Sequence, residues 1–153
     1  MVLEKQAKFD DAVRAFERVI AIDPKHAEAY NYVGYMYAER GQNLDEAISL
    51  IGKALSLEPD NGYFIDSLGW AYYQQGKYPD ALRELKRAVD RAKEDPVIFE
   101  HLGDAYAKNG LEEDALAAWE KSLSLDPNAD GVKQKVQDTK ARLRRAQGSK
   151  ASQ

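Results

Sequence analysis

The 153-residue sequence contains no cysteine, which removes disulfides, thiol nucleophiles and thiolate metal sites from consideration. Histidine is nearly as scarce. His26 and His101 lie far apart and in no metal-ligand spacing, and His26 falls in a turn where a solvent-facing role is expected. No nucleophile elbow or phosphate-cradling glycine loop occurs. An enzyme is therefore not expected, and the residues assign no cofactor, metal or catalytic group. No apolar run approaches the roughly 20 residues that span a bilayer. The first residues, MVLEKQAKFDD, lack the apolar core of a signal peptide.

What is present is a soluble, globular composition, with 44% apolar and 31% charged residues in a length suited to one domain. Charge is unevenly divided. Residues 1–129 carry a balance of −9, whereas residues 130–153 carry +5 through Lys133, Lys135, Lys140, Arg142, Arg144, Arg145 and Lys150. The basic tail has no interleaved aromatics and the acidic body opposes a polyanion, so nucleic acid is not an expected partner.

The stretch from Gly62 to Asp95 organises the chain. Ile65, Leu68, Ala71 and Tyr72 recur at three- and four-residue spacing and mark one helical face. Gly69 lies within that face. A mid-helix glycine costs about 1 kcal/mol against alanine, which points to close approach by another helix. Gly76 ends the helix, and Tyr78, Ala81, Leu82, Leu85, Ala88 and Val89 mark a second one. The pattern recurs as Val33-Gly34 with Tyr37, Leu68-Gly69 with Tyr72, and Leu102-Gly103 with Tyr106. Turn glycines follow at Gly41, Gly76 and Gly110, then alanines at Ala47, Ala81 and Ala115. The repeats run 27–61, 62–95 and 96–129, and Pro59 and Pro127 stop two of the second helices.

This pattern resembles the tetratricopeptide repeat family, whose period is 34 residues with glycine, alanine and proline at these places. The resemblance covers residues 1–129. It implies an all-α fold, an α-α superhelix or right-handed solenoid of antiparallel helix pairs, with the first helix of each pair lining a concave groove. Residues 1–146 form one domain: a partial repeat at 1–26, three repeats, and a capping helix at 130–146 with Val132, Val136, Thr139 and Leu143 on its seam. Residues 147–153 are expected to be a disordered tail.

Three departures carry expectations. One extra residue, within Gln42-Asn43-Leu44-Asp45, is expected in the inter-helix turn. Lys93 stands where proline is usual, so the second helix of repeat 62–95 is expected to run about a turn further. Phe9, Ala12, Phe16, Val19 and Asp23-Pro24 match a second helix, leaving only Met1–Gln6 for the first. The chain thus reads as starting inside a repeat of a longer protein, with an apolar edge at Val2, Leu3, Phe9 and Phe16.

On the family's architecture, equivalent places on successive first helices form rows along the concave wall. These are Asn31, Asp66, Glu100; Tyr35, Trp70, Asp104; Glu28, Tyr63, Val97; and Ala38, Tyr73, Ala107. The signature does not require aromatics at Tyr35, Tyr63 or Trp70. Aromatics beside carboxylates suit a ligand with an apolar anchor and basic side chains. The partner-binding set is therefore Glu28, Asn31, Tyr35, Tyr63, Asp66, Trp70, Tyr73, Glu100 and Asp104. The alternative for Trp70 and Tyr35 is packing between neighbouring helices. Some family members grip a C-terminal carboxylate with Lys, Asn and Arg on these rows. Here only Asn31 matches, so that role is not expected.

Two functions follow: a non-catalytic scaffold binding a peptide or helix with basic and apolar residues, or a self-association module forming homo-oligomers through the N-terminal edge. The wording of the repeats is similar to that of bacterial tetratricopeptide proteins. It is compatible with the cytoplasm or, given an export signal or anchor on a parent chain, with the bacterial periplasm and envelope.

Overall fold

The computed structural model describes residues 1–152 and contains eight helices, with no strand, among them. They are α1 (Val2–Ile22), α2 (Ala27–Arg40), α3 (Leu44–Leu57), α4 (Gly62–Gln74), α5 (Tyr78–Arg91), α6 (Pro96–Lys108), α7 (Glu112–Leu125) and α8 (Asp130–Ala151). Helices α2–α3, α4–α5 and α6–α7 are the three hairpin pairs, and α1 and α8 flank them. First helices touch one another, α2 to α4 and α4 to α6, whereas the second helices pack mainly on the first helices beside them and α7 also on α8. The first helices therefore line the inner face.

Small residues set the spacing within each pair. A Cβ placed on Gly103 would lie 2.4 Å from the indole of Trp119, and one on Gly69 would lie 2.7 Å from Leu85 Cγ. Helices meeting this closely bury Ala47, Ala81 and Ala115 completely. Ile51 and Leu85, also fully buried, fill the layer beneath. Val132, Val136 and Thr139 seat α8 on α7, where their seam covers Ala115 and Trp119.

The caps follow from the turn residues. Asn61 and Asp95 each accept two backbone N–H groups at the starts of α4 and α6. Exposed His26 caps α2 with a single bond, its Nδ1 accepting from the Ala29 amide at 3.1 Å. The extra residue after Gly41 is taken up in the turn, where Asn43 adopts a left-handed φ of 48°. Ser122, in a place held elsewhere by alanine, is buried and donates to the Pro96 carbonyl at 2.7 Å, tying α7 to the start of α6.

Three expectations are corrected. Helix α5 does not run on past the position of the missing proline but ends at Arg91, because Asp95 and Pro96 already start the next helix. Residues 2–6 are not a remnant of a first helix. They extend the second helix, and Arg40 donates to Gln6 Oε1 and the Lys5 carbonyl while lying 3.8 Å over the Phe9 ring. Phe9 and Phe16 are consequently half-buried against Tyr37 and Tyr32, and only Val2 and Leu3 of the expected apolar edge are open. The tail from 147 is helical to Ala151 rather than disordered, since its alanine, lysine and glutamine favour helix and Gly148 costs only about 1 kcal/mol. Gln153 lies outside the described residues.

Candidate partner-binding groove

The inner faces of α2, α4 and α6 enclose an opening of about 410 Å³ near their N-terminal ends. Its lining includes Glu28, Asn31, Tyr35, Tyr63 and Asp66 from the expected set, together with Tyr32, Ser67, Asp95 and Val97. Tyr63 and Val97 stand out from the rim at 57% and 48% exposure, and Glu28 is exposed beside them. Tyr35 is half-buried. Its hydroxyl is pushed well above the ordinary tyrosine range by burial first, then by its hydrogen bond with Glu39 and the charges of Glu39, Asp66 and Asp95.

Trp70, Tyr73, Glu100 and Asp104 lie outside this opening and belong to a closed part of the wall. The Trp70 ring stacks on Tyr73 at 4.6 Å and on His101 at 4.0 Å, so it bridges α4 and α6. Beneath it, Asp66 Oδ1 is 2.9 Å from His101 Nδ1, with both residues buried. Burial pulls the imidazole pKa down. Asp66 more than reverses this through its charge and hydrogen bond, with smaller help from Asp104 and Glu100, and the net shift is upward. The pocket favours the protonated imidazole more than water does.

One layer further on, Lys135 of α8 reaches back into the wall. Its Nζ donates to Glu100 Oε1 at 3.0 Å and to Asp104 Oδ1 at 2.8 Å, and lies 5.9 Å from the centre of the Trp119 ring. Asp104 Oδ1 also accepts from Trp119 Nε1 at 3.1 Å. Burial lowers the Lys135 pKa, but the two carboxylates outweigh it and raise the value. The wall expected to be open and acidic is thus partly self-neutralised. Asp66, Glu100 and Asp104 are all engaged within the chain.

Two residues that close this wall went unrecognised in the sequence. His101 reads there as an isolated histidine and Lys135 as part of the basic tail. Each lies 35 residues after its carboxylate partner, one place beyond the row of that partner. That offset was the available signal. Two buried atoms of this wall have no hydrogen-bond partner among the described residues, Asn31 Oδ1 in the open part and Trp70 Nε1 in the closed part. Among the described residues no cluster of histidine, aspartate and glutamate could hold a metal ion. No described helix is long and apolar enough to cross a membrane.

A family model described as tetratricopeptide repeat matches residues 1–62 and 67–130. None of the curated proteins matches significantly. Among solved structures, MamA superposes with a TM-score of 0.72 at 25% identity, covering 89% of this chain and 79% of its own. TTC0263, a thermophilic repeat protein of Thermus thermophilus, superposes with a TM-score of 0.75 at 21% identity, covering 88% and 74%. The first repeat domain of Spaghetti (RPAP3), solved with the HSP90 peptide SRMEEVD, gives a TM-score of 0.72 at 23% identity, covering 79% and 95%.

Proposed function

Since the chain belongs to the tetratricopeptide repeat family, we propose that it is a non-catalytic scaffold binding a peptide or helix with basic and apolar residues on its concave face. Family members commonly mediate protein–protein interactions and are generally non-catalytic. The observation that carries the finer reading is the opening between α2, α4 and α6. There exposed Tyr63 and half-buried Tyr35 stand beside the carboxylates of Glu28 and Asp95. An aromatic face takes an apolar anchor or the stem of a basic side chain, and the carboxylates take its charge. Trp70, Tyr73, Glu100 and Asp104 serve as the wall that holds this surface in shape.

An acidic peptide such as the one held by the RPAP3 domain would meet Glu28 and Asp95 and be repelled. Fluorescence anisotropy with a labelled lysine- and phenylalanine-containing peptide, and with SRMEEVD as the contrast, tests the assignment. Selective binding of the basic peptide, weakened about tenfold by Tyr63→Ala, is expected. Equal binding of both peptides, or binding of neither, would remove the proposal.

A second reading, self-association, has its own observation. Val2 and Leu3 are 83% and 87% exposed near the start of α1, and Ile22 is 86% exposed at its end. Such side chains suit burial against another copy. Light scattering over a concentration series checks it: mass should rise with concentration, and Leu3→Glu should abolish the rise.

A further inference from the structure

The concave wall is built in layers, and in two of them a residue from the following inner helix, α6 or the capping helix α8, closes the layer. In the layer of Asp66 and Trp70 the closing residue is His101, and in the layer of Glu100 and Asp104 it is Lys135. Both closing groups are basic, and both meet carboxylates one layer earlier. The first layer, formed by Asn31 and Tyr35, has Ser67 at the corresponding place, shifted by the one extra residue of repeat 27–61. Serine is too short to repeat the contact. Its hydroxyl turns back onto its own helix and donates to the Tyr63 carbonyl at 3.1 Å. Asn31 Oδ1 is left buried without a partner, and the opening of about 410 Å³ lies where a third closing side chain would sit.

We propose that a single lysine or arginine side chain of the partner fills this empty place between Asn31 and Ser67, completing the series that His101 and Lys135 begin. The proposal rests on the groove being a peptide site, and it adds the identity and position of the anchoring group. The charges facing the place agree with a cation. Glu28, Asp95 and the buried Asp66 line the opening, and no lysine or arginine is among its lining residues. Tyr32 and Tyr63, exposed on either side, flank the path of a long aliphatic stem. The ammonium or guanidinium group would donate to Asn31 Oδ1, a buried acceptor of the layer with no partner among the described residues. Lys135 shows the chemistry within the same molecule, its ammonium group donating to oxygen acceptors of the wall. Its own place being filled, the partner's anchor has one layer left to enter.

The test uses the full chain and a fluorescein-labelled Gly-Phe-Lys-Leu-Gly peptide, with a second peptide in which lysine is replaced by glutamine. Ser67→His introduces the residue found at the equivalent place one repeat later, and Asn31→Leu removes the acceptor at similar volume. Each variant is expected to weaken the lysine peptide tenfold or more while its thermal midpoint stays near that of the parent. The glutamine peptide should bind the parent at least tenfold more weakly. In nitrogen-15 spectra of the parent, the Asn31 side-chain amide should shift on addition of the lysine peptide.

Should Ser67→His fail to fold, Asn31→Leu and the Asn31 resonance decide the matter. The proposal is overturned if both folded variants keep affinity within twofold, if the glutamine peptide binds equally well, or if the shifts cluster around Lys135. Loss of binding in Tyr63→Ala with none in Ser67→His would leave the groove reading intact and overturn the empty place alone. Absence of binding by the parent would overturn both.

Discussion

Asp66 and His101 are 35 residues apart in sequence and 2.9 Å apart in the fold, beside a Trp70 ring that stacks on the imidazole at 4.0 Å. The pair joins two repeats through one charge-assisted hydrogen bond in a buried site. Pairs of this kind are sensitive to removal of one partner, because the survivor stays buried and unsatisfied.

The first prediction concerns pH. The folded pKa of His101 is raised, so the folded state binds the proton more tightly than the unfolded state. The stabilisation is fully present below the unfolded histidine value of about 6.5 and is lost as pH rises through the folded value. Groups facing the ring are Asp66, Asp104 and Glu100, with the Trp70 ring stacked over it. Urea midpoints measured from pH 5.5 to 9 should therefore fall with rising pH, and His101→Gln should flatten that trend. His101→Ala, which strands Asp66, should cost on the order of 3 kcal/mol near neutral pH.

Two glycine substitutions should have opposite signs. An added methyl at Gly103 meets the rigid indole of Trp119 at 2.4 Å, and Gly103→Ala should cost about 1–3 kcal/mol. At Gly52, within α3, nothing lies within 4 Å of the added carbon. There Gly52→Ala should stabilise by about 0.5–1 kcal/mol through lower unfolded-state entropy and better helix propensity. Urea denaturation of both variants checks the pair of signs.

Asp104 accepts from both Lys135 and Trp119, so it couples α6, α7 and α8. Asp104→Asn keeps an acceptor for the indole but removes the charge, and about 1 kcal/mol of destabilisation is expected after allowing for the partial exposure of Lys135. Asp104→Leu, which also removes the acceptor for the indole, should cost more. Trp119 emission should shift to longer wavelength if α8 loosens, and added salt should narrow the gap between the parent and Asp104→Asn.

Ser122→Ala should cost about 1 kcal/mol despite restoring the residue type found at Ala54 and Ala88, because the buried Pro96 contact at 2.7 Å is lost. A thermal melt that matches the parent would show that the hydroxyl contributes nothing.

Much of this architecture was legible because sparse residues recur in register. The Gly34, Gly69, Gly103 series and the alanines opposite it set the helix pairs, and close packing at Gly69 and Gly103 is what their mid-helix position implies. Less legible were features decided by neighbours rather than by the repeat. Lys93 in place of proline suggested a longer α5, but the stop comes from the Asp95 cap and Pro96 of the next helix. Residues 2–6 looked like a stranded fragment because their link to α2, through Arg40, spans more than thirty residues. In the groove, rows named from equivalent places put Asp66 with Glu100 and set His101 apart. The contacts run diagonally, one place beyond each row, so the acids looked free when they were paired.

Each helix packs against its neighbours in chain order, α1 on α2 through to α7 on α8, and among the described residues the two ends of the array do not meet. The cost of ordering the chain is therefore met in short steps, which favours rapid folding and lets opening proceed inward from either end. Amide exchange should follow that geography. Helices α1 and α8, each packed on one side, should exchange first. Central α4, which carries Tyr63, Asp66 and Trp70, should hold its protons longest. The surface offered to a partner would then rest on the slowest-opening segment of the protein, and its shape would outlast fraying at both ends.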